Sequence, residues 1–161
     1  DVLGAWVAPF IMAAINTKNI HRSNALMGHA YGEGFLYDEM MVTGVGDEGK
    51  AVAEFISKTS PLEGDNVPQP GEGPSKEKRE AGDYDILFIA EGPEGGHLRA
   101  SVKGDMDPGY GSTSKMIAES ALCLINDCAS LAGGIYTPAS SMSDKLVKRL
   151  ISNAGLKFGI E

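Results

Sequence analysis

The stretch DPGYGSTSKMIAESALCLIN, residues 107–126, decides the fold. Pro108 and Gly109 predict a tight turn that opens directly into a helix. A hydroxyl group within 112–114 is expected to cap this helix. The apolar face of the helix is predicted from residues at helical spacing: Met116, Ile117, Ala121, Leu124 and Ile125.

The start of this helix is a candidate anion site. Free N–H groups and the positive end of the helix dipole favour a negative charge there, and Lys115 adds a full positive charge. The alternative is an ordinary capped helix that packs on a sheet. The residues alone therefore indicate only a possible anion site at 109–115.

Composition and charge limit the function classes. The chain has 161 residues, 42% of them apolar, and a formal net charge of −8. Such an acidic chain offers no basic patch for nucleic acid or for an anionic membrane. No run approaches the ~18 apolar residues of a membrane span. Because the chain starts at Asp1, we expect a fragment or a processed protein.

Cysteine and histidine spacing predicts no metal site. Cys123 and Cys128 fit no common zinc pattern and are expected to be buried thiols, which favours an intracellular, cytoplasmic protein. His21, His29 and His97 lie on different predicted elements.

The hydrophobic pattern predicts an α+β fold with a mostly antiparallel, possibly mixed sheet and helices packed on one face. We expect one domain over 1–161, with a long loop at 60–83 in which Ser75 caps a short helix that Gly82 closes. The predicted helices are 5–28, 49–58, 112–126 and 141–153, and the predicted strands are 35–43, 84–91, 97–104 and 156–160.

Polar residues in the first predicted helix interrupt an apolar context. Because buried polar groups need hydrogen-bond partners, this set indicates either a substrate pocket or a structural network. The residues that matter are Asn16, Arg22, Ser23 and Asn24.

The loop Gly44–Gly49 matches the GxGxxG pattern and nearly matches a P-loop. Asp47 and Glu48 would repel phosphates, and Ala51 stands where a P-loop has Ser or Thr. We therefore predict a glycine-rich strand-to-helix turn. A self-contained nucleotide-binding site at 44–50 remains a functional hypothesis, weaker than the two given below.

Four ordered stretches resemble one protein family. They are PFIMAAINTKNIHRSNALMGHAYG at 9–32, PGEGPSKEKREAGDY at 70–84, GDMDPGYGSTSKMIAESALCL at 104–124 and GGIYTPASSM at 133–142. Together they resemble the C-terminal portion of saccharopine dehydrogenase-like proteins, especially the trans-acting enoyl reductase branch. Such proteins combine an N-terminal Rossmann domain, which binds NADP(H), with a C-terminal α+β domain that closes the substrate cleft and often supports dimerisation.

The resemblance implies a substrate-binding or dimerisation domain whose Rossmann domain is absent. NADP would be bound mainly by that missing domain, and none is expected on this chain alone, which would then be inactive. The segment 70–83 becomes an ordered cleft loop. The positions carried over for a small-molecule or acyl substrate are Asn16, Arg22, Ser23, Asn24, Gly111, Ser112 and Lys115, with Tyr110 as the candidate proton donor.

A non-catalytic interaction module is the alternative function. It would form a homodimer or dock an acyl carrier protein, and a sheet with one open apolar face would support it.

Overall fold

The computed structural model describes residues 2–59 and 71–161. Its contacts divide the chain into two compact units, 1–67 and 68–161. The prediction of one domain over 1–161 stays a prediction. In chain order the elements are β1 (Trp6–Pro9), α1 (Ala13–Leu26), β2 (Met40–Gly44), α2 (Gly46–Lys58), α3 (Lys76–Ala81), β3 (Tyr84–Glu91), β4 (His97–Gly104), α4 (Gly111–Asn126), α5 (Pro138–Asn153) and β5 (Lys157–Ile160).

The predicted α+β class and its antiparallel pairing are confirmed. β1 pairs with β2 in the first unit, and β3, β4 and β5 form a three-stranded sheet in the second. All of these pairings are antiparallel. The strands thus form two sheets, one in each unit.

The first unit corrects two boundaries. Residues 6–9 form a strand where a helix was predicted, because they pair with β2 and place Pro9 at the strand end, where its missing N–H does no harm. The strand predicted at 35–43 begins only at Met40. The segment that precedes β2 packs on α1 through aromatic rings: the ring centroid of Phe35 lies 5.7 Å from that of His21.

In the second unit the hairpin at 84–104 is confirmed, with β3 and β4 paired in register from Tyr84–Gly104 to Glu91–His97. The helix predicted at 75–80 is α3, and the Ser75 hydroxyl accepts a hydrogen bond from the Lys78 N–H. The part of the predicted loop at 60–70 lies outside the described residues.

The core of the second unit lies between α4, α5 and the start of β5. The buried residues of α5 are Met142, Leu146 and Leu150, at helical spacing along one face. The predicted face of α4 is largely wrong: Met116 packs on the core, whereas Ile117 and Ile125 are about 70% exposed. The buried cluster is Cys123, Cys128, Met142, Leu146, Leu150, Ala154 and Leu156.

Across the described part of the chain, 2–59 and 71–161, no helix is both long and apolar enough to cross a lipid bilayer.

Candidate functional site

Asp107 organises the turn before α4. Its carboxylate accepts hydrogen bonds from the N–H groups of Gly109 at 3.0 Å, Tyr110 at 3.0 Å and Gly111 at 2.6 Å. These bonds, that from Gly111 first, hold the pKa of Asp107 below its usual range. Sequence analysis expected a cap from the 112–114 hydroxyls. The structure corrects this, because a carboxylate that precedes the helix reaches several N–H groups at once.

This arrangement bears directly on the anion hypothesis. The N–H groups of Gly109, Tyr110 and Gly111 already donate to an internal carboxylate. The Lys115 ammonium lies 2.5 Å from the Asp105 carboxylate, and this contact lowers the pKa of Asp105. The positive charge at the start of α4 is thus balanced within the chain. Binding of an external anion here stays a prediction.

Ser112 is fully buried at the first turn of α4. Its hydroxyl oxygen lies 2.9 Å from the Tyr84 hydroxyl at the start of β3. Tyr84 faces Gly104 across the hairpin, and a side chain at 104 would collide with the Tyr84 ring. Ser112 therefore joins α4 to the sheet, and Gly111 beside it leaves room for the Arg79 carbonyl.

Tyr110 projects from this turn and is 56% exposed. Its ring lies against Gly73, since a Cβ at that glycine would stand 3.2 Å from the ring atoms Cε1 and Cζ. Arg79 also connects the segment at 73–74 to the turn before α4. Its Nη1 donates to the Pro74 carbonyl at 2.7 Å, and its carbonyl accepts from the Asp107 N–H at 3.0 Å.

The polar set of α1 forms a network in the first unit. Asn16 donates to Glu39 at 2.9 Å, and Tyr37 donates to the same carboxylate at 2.7 Å. Burial first, and then this hydrogen bond, raise the pKa of Tyr37. Glu39 is therefore held between α1 and the segment that leads into β2.

The other candidate substrate-binding residues of α1 differ in how far they are buried. The buried Asn24 donates to the Gly32 carbonyl and accepts from the Tyr31 N–H, each at 2.8 Å, and so holds the chain that follows α1. The buried Ser23 donates to the Asn19 carbonyl within the helix. Arg22 is exposed. Of the two readings left open for this set, these contacts favour the structural network for Asn16, Ser23 and Asn24.

The structure brings Tyr110, Gly111, Ser112 and Lys115 together at one end of α4. It also adds residues that sequence analysis did not single out. The role of Asp107 could have been predicted from the sequence, because the side chain of an Asp before Pro-Gly typically accepts hydrogen bonds from backbone N–H groups two or more residues later. Gly73 and Arg79 carried no signal of their own, since their roles depend on contacts with a turn about 30 residues away.

The glycine loop at 44–49 is a strand-to-helix turn, as predicted. It joins β2 of an antiparallel pair to α2. A side chain at Gly49 would overlap the Gly44 backbone, and Thr43 donates to the Gly49 carbonyl at 2.9 Å. The glycines thus allow two backbone segments to touch. Asp47 and Glu48 lie in the first turn of α2, where their carboxylates would repel a phosphate, and the absence of a nucleotide site here stays a prediction.

No group of three or more His, Cys, Asp or Glu side chains that could hold a metal ion occurs within residues 2–59 and 71–161.

Comparison with known proteins finds relatives named trans-acting enoyl reductases. A putative trans-acting enoyl reductase of Mycobacterium tuberculosis is 37% identical over 168 residues, covering 93% of this chain and 40% of that protein. The trans-acting enoyl reductase of Mycobacterium bovis is 32% identical over 177 residues, covering 99% of this chain and 42% of its own length. That of Mycobacterium ulcerans is 33% identical over 168 residues.

No family profile and no solved structure matches the chain. The chain spans about two fifths of the length of the curated relatives it matches. Over nearly all of its own length, this chain is therefore similar to one part of proteins named trans-acting enoyl reductases.

Proposed function

We propose that this chain is the substrate-side domain of an NADP-dependent oxidoreductase of the trans-acting enoyl reductase type. The similarity to proteins of that name supports the reaction class. In this proposal NADP is bound mainly by a nucleotide-binding domain outside this chain, and the carboxylates of Asp47 and Glu48 in the first turn of α2 support this, because they would repel a phosphate at the loop 44–49. The substrate is an acyl compound with a carbon–carbon double bond, and the setting is the cytoplasm.

The observation that carries the proposal is the placement of Tyr110. Its hydroxyl-bearing side chain is exposed, while Asp107 fixes its main chain and Gly73 supports its ring. Reduction of an enoyl group requires that the carbon next to the carbonyl receive a proton. A phenol held in a fixed position and open to a ligand is suited to donate it.

Substitution of Tyr110 tests this role. In the full-length protein that carries this domain, Tyr110→Phe should lower kcat for a 2-enoyl thioester about 100-fold or more, because the proton donor is lost. Oxidation of NADPH followed by absorbance measures this rate, and circular dichroism checks the fold. Arg22→Met, at the exposed candidate binding position, should raise KM. An unchanged kcat in Tyr110→Phe together with an unchanged KM in Arg22→Met would refute the proposal.

A specific feature supports the second function, a homodimerisation module. The register of β3, β4 and β5 places eight apolar side chains on one face of the sheet. They are Ile86, Phe88, Ala90, Leu98, Ala100, Val102, Phe158 and Ile160. Val102 packs on the core, whereas Ile86, Leu98 and Ile160 are between 46% and 80% exposed. We call these eight residues the open sheet face.

A second copy of the chain is the occupant that charge favours. None of the eight side chains is charged, while Asp85 and Lys103 pair on the opposite face of the hairpin. Two chains that each carry −8 repel through most of their surfaces. Contact through an uncharged apolar face avoids this repulsion and allows a two-fold symmetric interface.

Light scattering over a concentration series tests the dimer. We expect a dimer that Leu98→Glu converts to a monomer, since the substitution buries a charge in the interface. Arg99→Glu, the matched control on the opposite face, should leave the dimer intact. A wild-type monomer at all concentrations would exclude this function and leave the face to another partner, such as an acyl carrier protein.

A further inference from the structure

We propose that the Gly73–Pro74 backbone, held in place by Arg79, is a platform that sets the position of the Tyr110 hydroxyl. Gly73 and Arg79 are then positioning residues for Tyr110. The inference rests on the proposed function of Tyr110, although its structural part can be tested separately.

The first argument is the contact at Gly73. A Cβ built there would lie 3.2 Å from Cε1 and Cζ of Tyr110 and 3.4 Å from Cε2. These three atoms form the end of the ring that carries the hydroxyl. A side chain at position 73 would therefore press on the hydroxyl end of the ring and displace it by a few tenths of an ångström, and the φ of +62° at this position favours glycine.

The second argument is the clamp through Arg79. Its guanidinium donates to the Pro74 carbonyl, which is part of the platform, and its own carbonyl accepts from the Asp107 N–H. Asp107 in turn accepts from the Tyr110 N–H. One residue of α3 thus ties both the platform and the turn that carries Tyr110. The ring and the main chain of Tyr110 are fixed relative to the same helix.

The third argument is the chemistry of proton transfer. A donor works only within hydrogen-bond reach of the carbon or oxygen that receives the proton, and small displacements cost rate steeply. The Tyr110 side chain is more than half exposed, so burial does not hold its ring. The platform and the clamp supply the restraint that burial does not.

The structural part is tested by NMR on the chain labelled with ¹³C in its tyrosine rings. The signal of Tyr110 is identified by its disappearance in Tyr110→Phe. Gly73→Ala and Arg79→Met should both shift this signal, and Arg79→Lys should restore it in part because a donor to the Pro74 carbonyl remains. Gly95→Ala is the matched control: its φ of +81° resembles the +62° of Gly73, but nothing lies within 4 Å of its Cβ position. An unmoved signal in both Gly73→Ala and Arg79→Met would overturn the platform.

The functional part is tested by turnover of a 2-enoyl thioester in the full-length protein. Gly73→Ala and Arg79→Met should lower kcat about tenfold or more with KM changed less than about twofold, because a misplaced donor slows the reaction without weakening binding. Gly95→Ala should match wild type. If Tyr110→Phe abolishes turnover while both platform variants keep full kcat, positioning is refuted and the proposed function stands. If Tyr110→Phe keeps full turnover, the proposed function fails and positioning fails with it. Should Gly73→Ala not fold, the two Arg79 variants decide alone.

Discussion

Several polar groups that the sequence marks as candidates for ligand binding are already hydrogen-bonded or ion-paired within the chain. Asp107 accepts hydrogen bonds from the N–H groups at the start of α4. Asp105 forms an ion pair with Lys115, and Glu39 accepts a hydrogen bond from Asn16. Each of these partners is a carboxylate of the chain itself. Sequence spacing identifies groups that need a partner, but it does not show whether that partner is internal.

The cap at Asp107 predicts a pH dependence. Its folded-state pKa is depressed, so its contribution to stability is present above the unfolded pKa of about 3.9 and is lost as pH falls through the folded value. Asp107→Asn should therefore destabilise the chain by about 1 kcal/mol at pH 7 and by less at pH 3, because three N–H groups then lose a charged acceptor. Urea unfolding at both pH values measures this, with exposed Asp83→Asn as the control. An equal effect at both pH values would contradict the account.

The hydrogen bond between Tyr84 and the fully buried Ser112 predicts coupled substitutions. Removing either hydroxyl leaves the other without its partner, at a cost of roughly 1–3 kcal/mol, whereas removing both costs less than the sum. The single variants are Tyr84→Phe and Ser112→Ala. A double-mutant cycle should return a coupling energy of about 1 kcal/mol. Strictly additive effects would mean that the bond between α4 and the sheet contributes nothing.

At the scale of elements, local signals predict some segments well and others poorly. The hairpin at 84–104 is correct to the residue, because alternation and a glycine-rich turn are local. β1 was predicted as a helix, because its extended state depends on pairing with β2 more than 30 residues later. The predicted face of α4 is wrong for the same kind of reason: packing against α5 buries Cys123, which was not predicted, and leaves Ile117 and Ile125 exposed.

The contact between Gly44 and Gly49 gives a test of how α2 joins its hairpin. Alanine is the better helix former, yet Gly49→Ala should lower the stability of the first unit by roughly 3 kcal/mol or more, because its Cβ would overlap the Gly44 backbone. The fluorescence of Trp6 in β1, the only tryptophan, reports the transition.

Gly46→Ala is the control for this substitution. No atom lies within 4 Å of its Cβ position, and its φ of +64° predicts a cost of only about 1–2 kcal/mol. If Gly49→Ala were as stable as wild type, the close approach would not be needed for the turn.

At the scale of the whole molecule, the described residues form two α+β units, and the chain matches about two fifths of longer relatives. The fold class was readable from the sequence because helix and strand periodicity differ clearly. The grouping of contacts into two units was not, since it depends on long-range packing. Of the predicted site, the residues at the start of α4 come together, while those of α1 lie in the other unit.

In the proposed function, this chain supplies the substrate side of a reductase and does not bind the nicotinamide nucleotide by itself. Titration of NADPH into the 161-residue chain, followed by nicotinamide fluorescence, tests that claim most directly. We predict no saturable binding, because Asp47 and Glu48 would repel a phosphate at the start of α2 and Lys115 is paired with Asp105. Saturable binding in the micromolar range, abolished by substitution of Lys50 or Lys115, would contradict it.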